Sequence, residues 1–190
     1  MQLQLAGDLT EQEVLRFAQF LFVAGHETTS HSLSGGIGIL AQDPALFARL
    51  KADRSLVPAF VEEVLRYRPE LQATSRVARR ATTLAGVAVP AGTFVRVMLG
   101  NANMDASKFP DPERFDIDRD RQALLQHVSF GKGIHTCIGA PLARREMRIA
   151  FEHILDTVNV LSLDPDTPPV PHVGGSTNEY GFDALNVRIA

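Results

Sequence analysis

The stretch Phe130-Gly-Lys-Gly-Ile-His-Thr-Cys-Ile-Gly139 contains the only cysteine of this 190-residue chain, Cys137. The residues after it predict a helix that begins around Ala140-Pro141, so the thiol lies just before a helix N-terminus. There it faces unpaired backbone N–H groups and the positive end of the helix dipole, which favour the thiolate. The thiolate is the form that binds a metal or acts as a nucleophile. The two glycines upstream permit a tight loop whose N–H groups can point at the sulfur.

Two other interpretations of Cys137 stay open from the residues alone. An isolated cysteine is often a buried structural residue. The pair formed by His135 and Cys137 also suggests zinc, although zinc needs about four ligands and usually more thiolates than one. A single cysteine excludes internal disulfides and any site built from several thiolates.

The composition is that of a folded protein of one or two domains, with 45% hydrophobic and 22% charged residues in 20.8 kDa. Nineteen basic and 22 acidic residues give a net charge of -3, which indicates neither a nucleic-acid partner nor an anionic membrane surface. The longest apolar stretch, residues 17–25, is far shorter than the roughly 18 residues that span a bilayer. Residues 1–8 lack the features of a secretory signal. We therefore expect a cytoplasmic protein without a membrane segment.

The sequence predicts a mainly α fold. Thr10 and Glu13 form a capping box at the start of a long helix. Between residues 17 and 24 that helix is apolar nearly all round, which predicts a helix buried through the middle of a domain. Further helices are expected from Asp43-Pro44, over residues 58–66, and over an amphipathic stretch that ends near residue 158.

The β part is expected to be minor and antiparallel. Residues 82–99 are rich in Val and Thr and contain the turn Pro90-Ala91-Gly92, which predicts a hairpin around that turn. Residues 101–120 are rich in turn-forming residues and predict an irregular meander. The proline-rich tail leads to a short strand over residues 184–189.

The cysteine stretch resembles the haem-binding signature of cytochrome P450, F-G-x-G-x-x-x-C-x-G, at every fixed position. Ala24-Gly-His-Glu-Thr-Thr29 resembles the family's oxygen-activation motif on its long central helix. Glu63-Val-Leu-Arg66 resembles the E-x-x-R motif, and Phe109-Pro-Asp-Pro-Glu-Arg-Phe115 resembles the meander motif. The four segments follow in the family's order. The resemblance implies that residues 1–190 are the C-terminal, haem-binding portion of the P450 fold, with the N-terminal half absent.

The resemblance implies haem b as cofactor, with the Cys137 thiolate as axial ligand of the iron. A thiolate ligand pushes electron density to iron and favours O–O cleavage. Phe130 would pack beside the sulfur and keep water from it, and Gly131 is implied to be a cofactor-binding residue.

The resemblance also implies two partners for the haem propionates, Arg76 and His135. A guanidinium suits a carboxylate because it donates two parallel hydrogen bonds. Arg79 and Arg80 lie close to Arg76 in the sequence and leave the assignment open. The alternatives are a solvated strand arginine and a loop histidine with an ordinary hydrogen bond.

On the long helix, Ala24 and Gly25 are implied to line a groove for dioxygen above the iron. Glycine costs about 1 kcal/mol against alanine within a helix, so Gly25 is unusual there. Glu27 and Thr28 resemble the family's acid–alcohol pair, which delivers protons to bound oxygen. Glu27 is expected to be buried, and a buried carboxylate without a role is costly. His26 is expected to be a packing or surface neighbour.

Glu63 and Arg66 lie three residues apart on one helix face. An exposed pair of this kind is worth less than about 1 kcal/mol. The resemblance implies instead that the pair is buried and joined by Arg114 of the meander. Its role would be structural, holding the core around the cysteine loop.

Basic residues surround the cysteine loop and the helix after it. They form either an ordinary solvated face or a docking patch for an acidic electron donor such as a ferredoxin. The residues are Lys132, Arg144, Arg145 and Arg148.

Together these features predict a haem-thiolate monooxygenase of the soluble bacterial type. It would use dioxygen and two electrons from a redox partner to oxidise a small organic substrate. Glu27 and Thr28 argue against a second possibility, a peroxide-driven P450. A third possibility is a half-domain that binds haem weakly or not at all and needs a second chain to supply the missing half. Residues 71–74 and 179–182 are the candidate pocket-lining segments.

Overall fold

The structure is a computed structural model that describes residue 7, residues 9–173 and residues 179–190. The expectation that residues 1–8 carry no secretory signal therefore falls almost wholly outside the described residues. Within the described part of the chain, none of the helices is both long enough and apolar enough to cross a bilayer.

The four longer helices begin within one residue of where the sequence predicts, whereas the short helices at 99–102 and 121–124 were not predicted. Helix α1 spans Glu11–Gln42, and its capping box is confirmed: the Glu13 N–H donates to Thr10 Oγ1, and the Thr10 N–H donates to Glu13 Oε2 at 2.8 Å. Helix α2 spans Pro44–Ala52 and is capped by the Asp43 carboxylate. The remaining helices are α3 (Val57–Tyr67), α4 (Leu99–Ala102), α5 (Arg121–Leu124) and α6 (Ala140–Thr157), with 3-10 turns at Arg54–Leu56 and Gly133–His135.

The core lies where α3, α6 and the last part of α1 meet. The ring of Phe60 packs edge-on against Phe151 with 4.9 Å between centroids. Gly36 lets α1 approach closely, because a Cβ there would lie 2.4 Å from Phe151 Cζ. The amphipathic prediction for α6 is confirmed: its buried positions include Met147 and Phe151.

The first part of α1 is not buried, so the prediction of a buried helix is wrong there. Residues 15–28 are exposed and buried positions begin only at Ser32, since none of the described residues covers this part of the helix. Six large apolar side chains are 43–71% exposed, and we call them the α1 apolar face. They are Leu15, Phe17, Phe20, Leu21, Phe22 and Val23.

The strands form four antiparallel pairs. Four strands lie in the middle of the chain: β1 (Ala73–Val77), β2 (Thr82–Leu84), β3 (Val87–Val89) and β4 (Phe94–Met98). Four more lie near its end: β5 (Leu161–Leu163), β6 (Val170–Val173), β7 (Tyr180–Ala184) and β8 (Val187–Ile189). The pairs are β1–β4, β2–β3, β5–β8 and β6–β7. The single strand expected over residues 184–189 is in fact β8 and the end of β7.

The hairpin predicted around Pro90-Ala91-Gly92 is wrong. Strand β3 pairs with β2 across a turn at Ala85 and Gly86, and β4 pairs with β1. Both turn residues have positive φ, 47° and 84°. A two-residue turn with positive φ at both positions matches the twist of antiparallel strands, which explains why the shorter connection forms the hairpin.

Candidate functional site

The cysteine loop is held in a tight conformation by two glycines and by backbone hydrogen bonds. Gly131 and Gly133 have φ values of 69° and 76°, a region that favours glycine. The Cys137 N–H donates to the Phe130 carbonyl at 2.8 Å, which closes the loop. Cys137 itself is exposed, so the interpretation of a buried structural cysteine is wrong.

A cavity of about 310 Å³ lies between α1, the cysteine loop and the segment from α3 to β1. It brings together most of the residues that the sequence singles out. Those at its wall are Ala24, Thr28, Arg76, Phe130, Gly131, His135 and Cys137. Gly25 and Glu27 are not among its lining residues. The predicted lining segments contribute Leu71, Thr74 and Glu179.

Helix α1 forms one wall of this cavity. Thr28 Oγ1 donates to the Ala24 carbonyl at 2.8 Å, the backward bond expected of a hydroxyl within a helix. A Cβ added at Gly25 would meet nothing within 4 Å, so the space beside it is open. Glu27 is exposed, and the expectation of a buried carboxylate is wrong for the described chain. His26 lies on the surface and stacks on Phe22.

Arg76 reaches the cavity wall from strand β1. Its Nη1 donates to the Ser75 carbonyl at 2.7 Å and to Thr74 Oγ1 at 3.2 Å. Its neighbours Arg79 and Arg80 are exposed and do not line the cavity.

The donor set suits a flat apolar cofactor that carries a metal and carboxylates. An exposed thiol, an arginine and a histidine border one cavity whose other lining residues include Ala24, Leu65 and Leu99. A thiol can ligate a soft metal, and the guanidinium can bind a carboxylate. The residues present therefore fit a haem group.

Beneath the loop, Glu63 and Arg66 form the expected buried pair, both at 0% exposure. Arg66 Nε donates to Glu63 Oε2 at 2.7 Å and Nη2 donates to Oε1 at 2.8 Å. The third member of this cluster is Arg119, whose Nε lies 3.2 Å from Glu63 Oε1. The prediction of Arg114 for this place is wrong: its side chain is 70% exposed, and only its carbonyl accepts bonds, from Arg66 and Arg119.

Asn103 connects this pair to the cysteine loop and was not predicted from the sequence. The buried Asn103 accepts a bond from the Val128 N–H at 2.8 Å and donates to Ser129 Oγ at 2.8 Å. Ser129 Oγ in turn donates to the Leu65 carbonyl. The residues just before Phe130 are thus tied to α3.

A second missed cluster supports Phe130 from α6. Arg144 donates to both oxygens of Glu62, at 2.6 and 3.0 Å, and its guanidinium lies over the Phe130 ring. His127 Nε2 lies 2.9 Å from Glu62 Oε2, and its Nδ1 accepts from the Ser129 N–H. Burial raises the pKa of Glu62, but the bonds from His127 and Arg144 outweigh it and the net shift is downward.

The basic residues around the loop therefore differ from one another. Arg144 is turned to Glu62 and is not a free cation of a docking patch. Arg148 pairs with Glu152 on the same helix, with 3.1 Å between Nε and Oε1. Lys132 and Arg145 are exposed.

Residues 2–180 match the family model for cytochrome P450. The mainly α fold, with a cavity beside the cysteine loop, agrees with this match. The chain belongs to the cytochrome P450 family, whose cofactor is a haem iron.

Several P450 enzymes are similar to this chain. Cytochrome P450 monooxygenase PikC of Streptomyces venezuelae is 46% identical over 82% of this chain, and cyclomarin C epoxidase CymV of Salinispora arenicola is 42% identical over 88%. The crystal structure of CYP109E1 from Bacillus megaterium in complex with corticosterone superposes with a TM-score of 0.88 at 41% identity, over 95% of this chain and 47% of that one. The mainly α P450 fold is thereby confirmed. The chain spans 37% of PikC and 42% of CymV, less than half the length of these relatives.

Proposed function

We propose that this chain is the C-terminal, haem-binding portion of a P450 monooxygenase with Cys137 as the axial thiolate ligand. The observation that carries the proposal is the cavity that Cys137 and Thr28 share. When bound there, haem would supply the binding and reductive activation of dioxygen, favoured by a thiolate ligand. In the overall reaction one oxygen atom enters an organic substrate and the other leaves as water, with consumption of two electrons and two protons.

The protein's own residues would hold the cofactor and exclude water from the sulfur. Arg76 and His135 would bind the propionates, since both border the cavity. Phe130 would cover one side of the thiolate. Its position is supported by the contact with Arg144 and by the Cys137 N–H bond to its carbonyl.

Thr28 and Glu27 would serve proton delivery from the α1 side. The Thr28 hydroxyl gives its hydrogen to the Ala24 carbonyl, so its oxygen lone pairs are free to accept a hydrogen bond from water in the cavity. Glu27 supplies an ionisable group one residue earlier, exposed and able to exchange protons with solvent. Such a pair meets the need for an ionisable donor with a hydroxyl relay.

The electron donor would be a ferredoxin-type protein that docks on the cysteine-loop side. Lys132 and Arg145 remain as exposed cations there, and Arg148 is shared with Glu152. Ile134 and Ile138, 96% and 79% exposed, add apolar area to the same surface. Mixed basic and apolar surfaces of this kind steer and then hold an acidic partner.

Haem titration with a matched pair of variants tests the proposal. The purified chain is titrated with haemin, then reduced and exposed to carbon monoxide, and the absorption spectrum is recorded. We expect a thiolate-type Soret band in the parent and in the control Thr136→Ala, and its loss in Cys137→Ala. The same band in Cys137→Ala, or no haem uptake by any form, would contradict the proposal. Turnover with peroxide but none with oxygen and an electron donor would identify a peroxide-driven enzyme instead.

A second candidate is a half-domain that needs another chain to complete it, and the α1 apolar face favours it. Exposed apolar areas of this kind promote association. Light scattering after size-exclusion chromatography should then show association of the parent, reduced in Phe20→Ser and Phe22→Ser but not in Val87→Ser, a similarly exposed residue elsewhere. A clean haem-loaded monomer would argue against this candidate.

A further inference from the structure

Glu70 places a buried carboxylate at the wall of the cavity. It lies between α3 and β1 and its side chain is only 6% exposed. Its Oε1 is fully buried and accepts no hydrogen bond from the residues that the structure describes. His31 Nδ1, which is also buried without a hydrogen bond among the described residues, lies 3.9 Å from Oε1, beyond hydrogen-bond distance. A buried carboxylate in this state is costly unless something else neutralises it.

A second carboxylate is fixed beside it by backbone pairing. Leu71 and Glu179 form an antiparallel bridge, and the Tyr180 N–H donates to the Glu70 carbonyl at 2.7 Å. Glu70 and Glu179 both line the cavity, and we call them the acidic corner.

The charges around the acidic corner are mostly negative. Burial, and then the negative charges of Glu179 and Glu27, raise the pKa of Glu70 to about 7, while His172 acts in the opposite direction. His172 is itself held by Asp183, with 2.7 Å between Nδ1 and Oδ1. The described residues around the acidic corner thus bring more negative than positive charge to this wall.

A cation would complement the carboxylates of the acidic corner, and the chemistry of the cavity favours an organic one. Among the described residues, no group of three or more His, Cys, Asp or Glu side chains is arranged to hold a metal ion. The cavity beside the corner is otherwise lined by apolar groups such as Leu71 and Leu99. An alkylammonium group donates up to three hydrogen bonds and brings its positive charge on an apolar body.

We propose that the acidic corner binds the protonated amine of an organic substrate, so that the enzyme acts on hydrophobic amines. This inference rests on the proposed function, because it assigns the substrate class of the same cavity. Glu70 would accept a hydrogen bond from the ammonium group, and Glu179 would add a second carboxylate at the rim.

Fluorescence anisotropy with a matched pair of probes tests the inference on the full chain. The probes are dansylcadaverine, which carries a protonated primary amine, and N-acetyl-dansylcadaverine, which is neutral. At pH 8 we expect the amine to bind about tenfold more tightly than its acetylated form, the effect of one charged hydrogen bond. In Glu70→Gln the preference should fall below about threefold, and Glu179→Gln should reduce it less. The control Glu146→Gln, an exposed carboxylate on α6, should retain the parent preference.

Equal binding of the two probes by the parent, no binding of either, or a preference that survives in Glu70→Gln would overturn the inference. Haemin uptake by the same samples reports on the proposed function separately. A chain that prefers the amine through Glu70 but takes up no haem would retain the acidic corner and lose the monooxygenase assignment. A chain that takes up haem through Cys137 but shows no preference for the amine would retain the monooxygenase assignment and overturn the acidic corner as an amine site.

Discussion

Glu63 and Glu70 lie seven residues apart and are both buried, yet their surroundings are opposite. Glu63 accepts bonds from Arg66, from Arg119 and from the Asp116 N–H. The carboxylate oxygen Oε1 of Glu70 accepts none from the described residues. Paired buried carboxylates hold a fold together, whereas unpaired ones point to a site whose partner comes from outside.

The same contrast extends over the two sides of the cavity. On the side of α3, α6 and the meander, Glu63 is paired with Arg66 and Arg119 beside a buried apolar core. On the side of α1 before Ser32, large apolar groups are exposed and Glu27 is in solvent. The paired side gives the cysteine loop a rigid support, and the open side is where ligands or a further part of the protein can bind.

The largest change in the free energy of unfolding is expected when Glu63 loses Arg66, so that its carboxylate becomes poorly paired, as Glu70 is. Arg66→Ala removes the two hydrogen bonds that Arg66 donates to the Glu63 carboxylate. The buried carboxylate then keeps Arg119 as its one cationic partner. We expect the free energy of unfolding to fall by about 3–5 kcal/mol, measured by urea unfolding with far-UV circular dichroism. A loss below about 1 kcal/mol would mean that the pair does not support the fold.

The next effect distinguishes the two arginines of the meander. Arg119→Ala should cost about 2–3 kcal/mol, because Arg119 is 8% exposed and bonds to Glu63 and to three carbonyls. Arg114→Ala should cost less than about 0.5 kcal/mol, since its side chain is 70% exposed. Equal losses in the same unfolding assay would contradict the assignment of Arg119.

A smaller change in the free energy of unfolding, an increase instead of a loss, is expected for Glu70→Gln. The native pKa of about 7 lies above the ordinary 4.5, so the folded chain keeps a proton that the unfolded chain releases between these values. The contribution of Glu70 to stability is therefore present at pH 4.5 and is lost as the pH rises through 7. Glu70→Gln should raise the free energy of unfolding by about 1–3 kcal/mol at pH 8 and change it little at pH 5. An equal change at both pH values would exclude the unpaired carboxylate as the cause.

Local signals in the sequence predicted the paired side well. The Glu63–Arg66 spacing places both groups on one helix face, and the period of α6 identifies Met147 and Phe151 as core. The choice between Arg114 and Arg119 was not predictable in this way. Both arginines lie in the same turn-rich segment, and only the path of its backbone in space decides which side chain points towards Glu63.

The open side was harder to predict. The apolar pattern of a helix shows which residues could be buried, but it does not show whether another element of the protein covers them. Phe17 and Leu21 fit a buried helix by periodicity, but their exposure depends on elements that the described chain does not place there. The acidic corner arises from the bridge between Leu71 and Glu179, more than one hundred residues apart in the chain, and no local motif marks such a pairing.

The smallest effect is expected at two glycines of α1: Gly25 lies in the exposed part of the helix and Gly36 in the buried part. Gly25→Ala places a Cβ in open space, so the gain in helix propensity should stabilise the chain by about 0.5–1 kcal/mol in urea unfolding. Gly36→Ala is the matched control: its Cβ would lie 2.4 Å from Phe151 Cζ, and overpacking should outweigh the same gain and destabilise the chain. Destabilisation by Gly25→Ala would mean that something in the folded chain covers the open part of α1. The signs of the two changes therefore locate the boundary between the covered and the open turns of the helix.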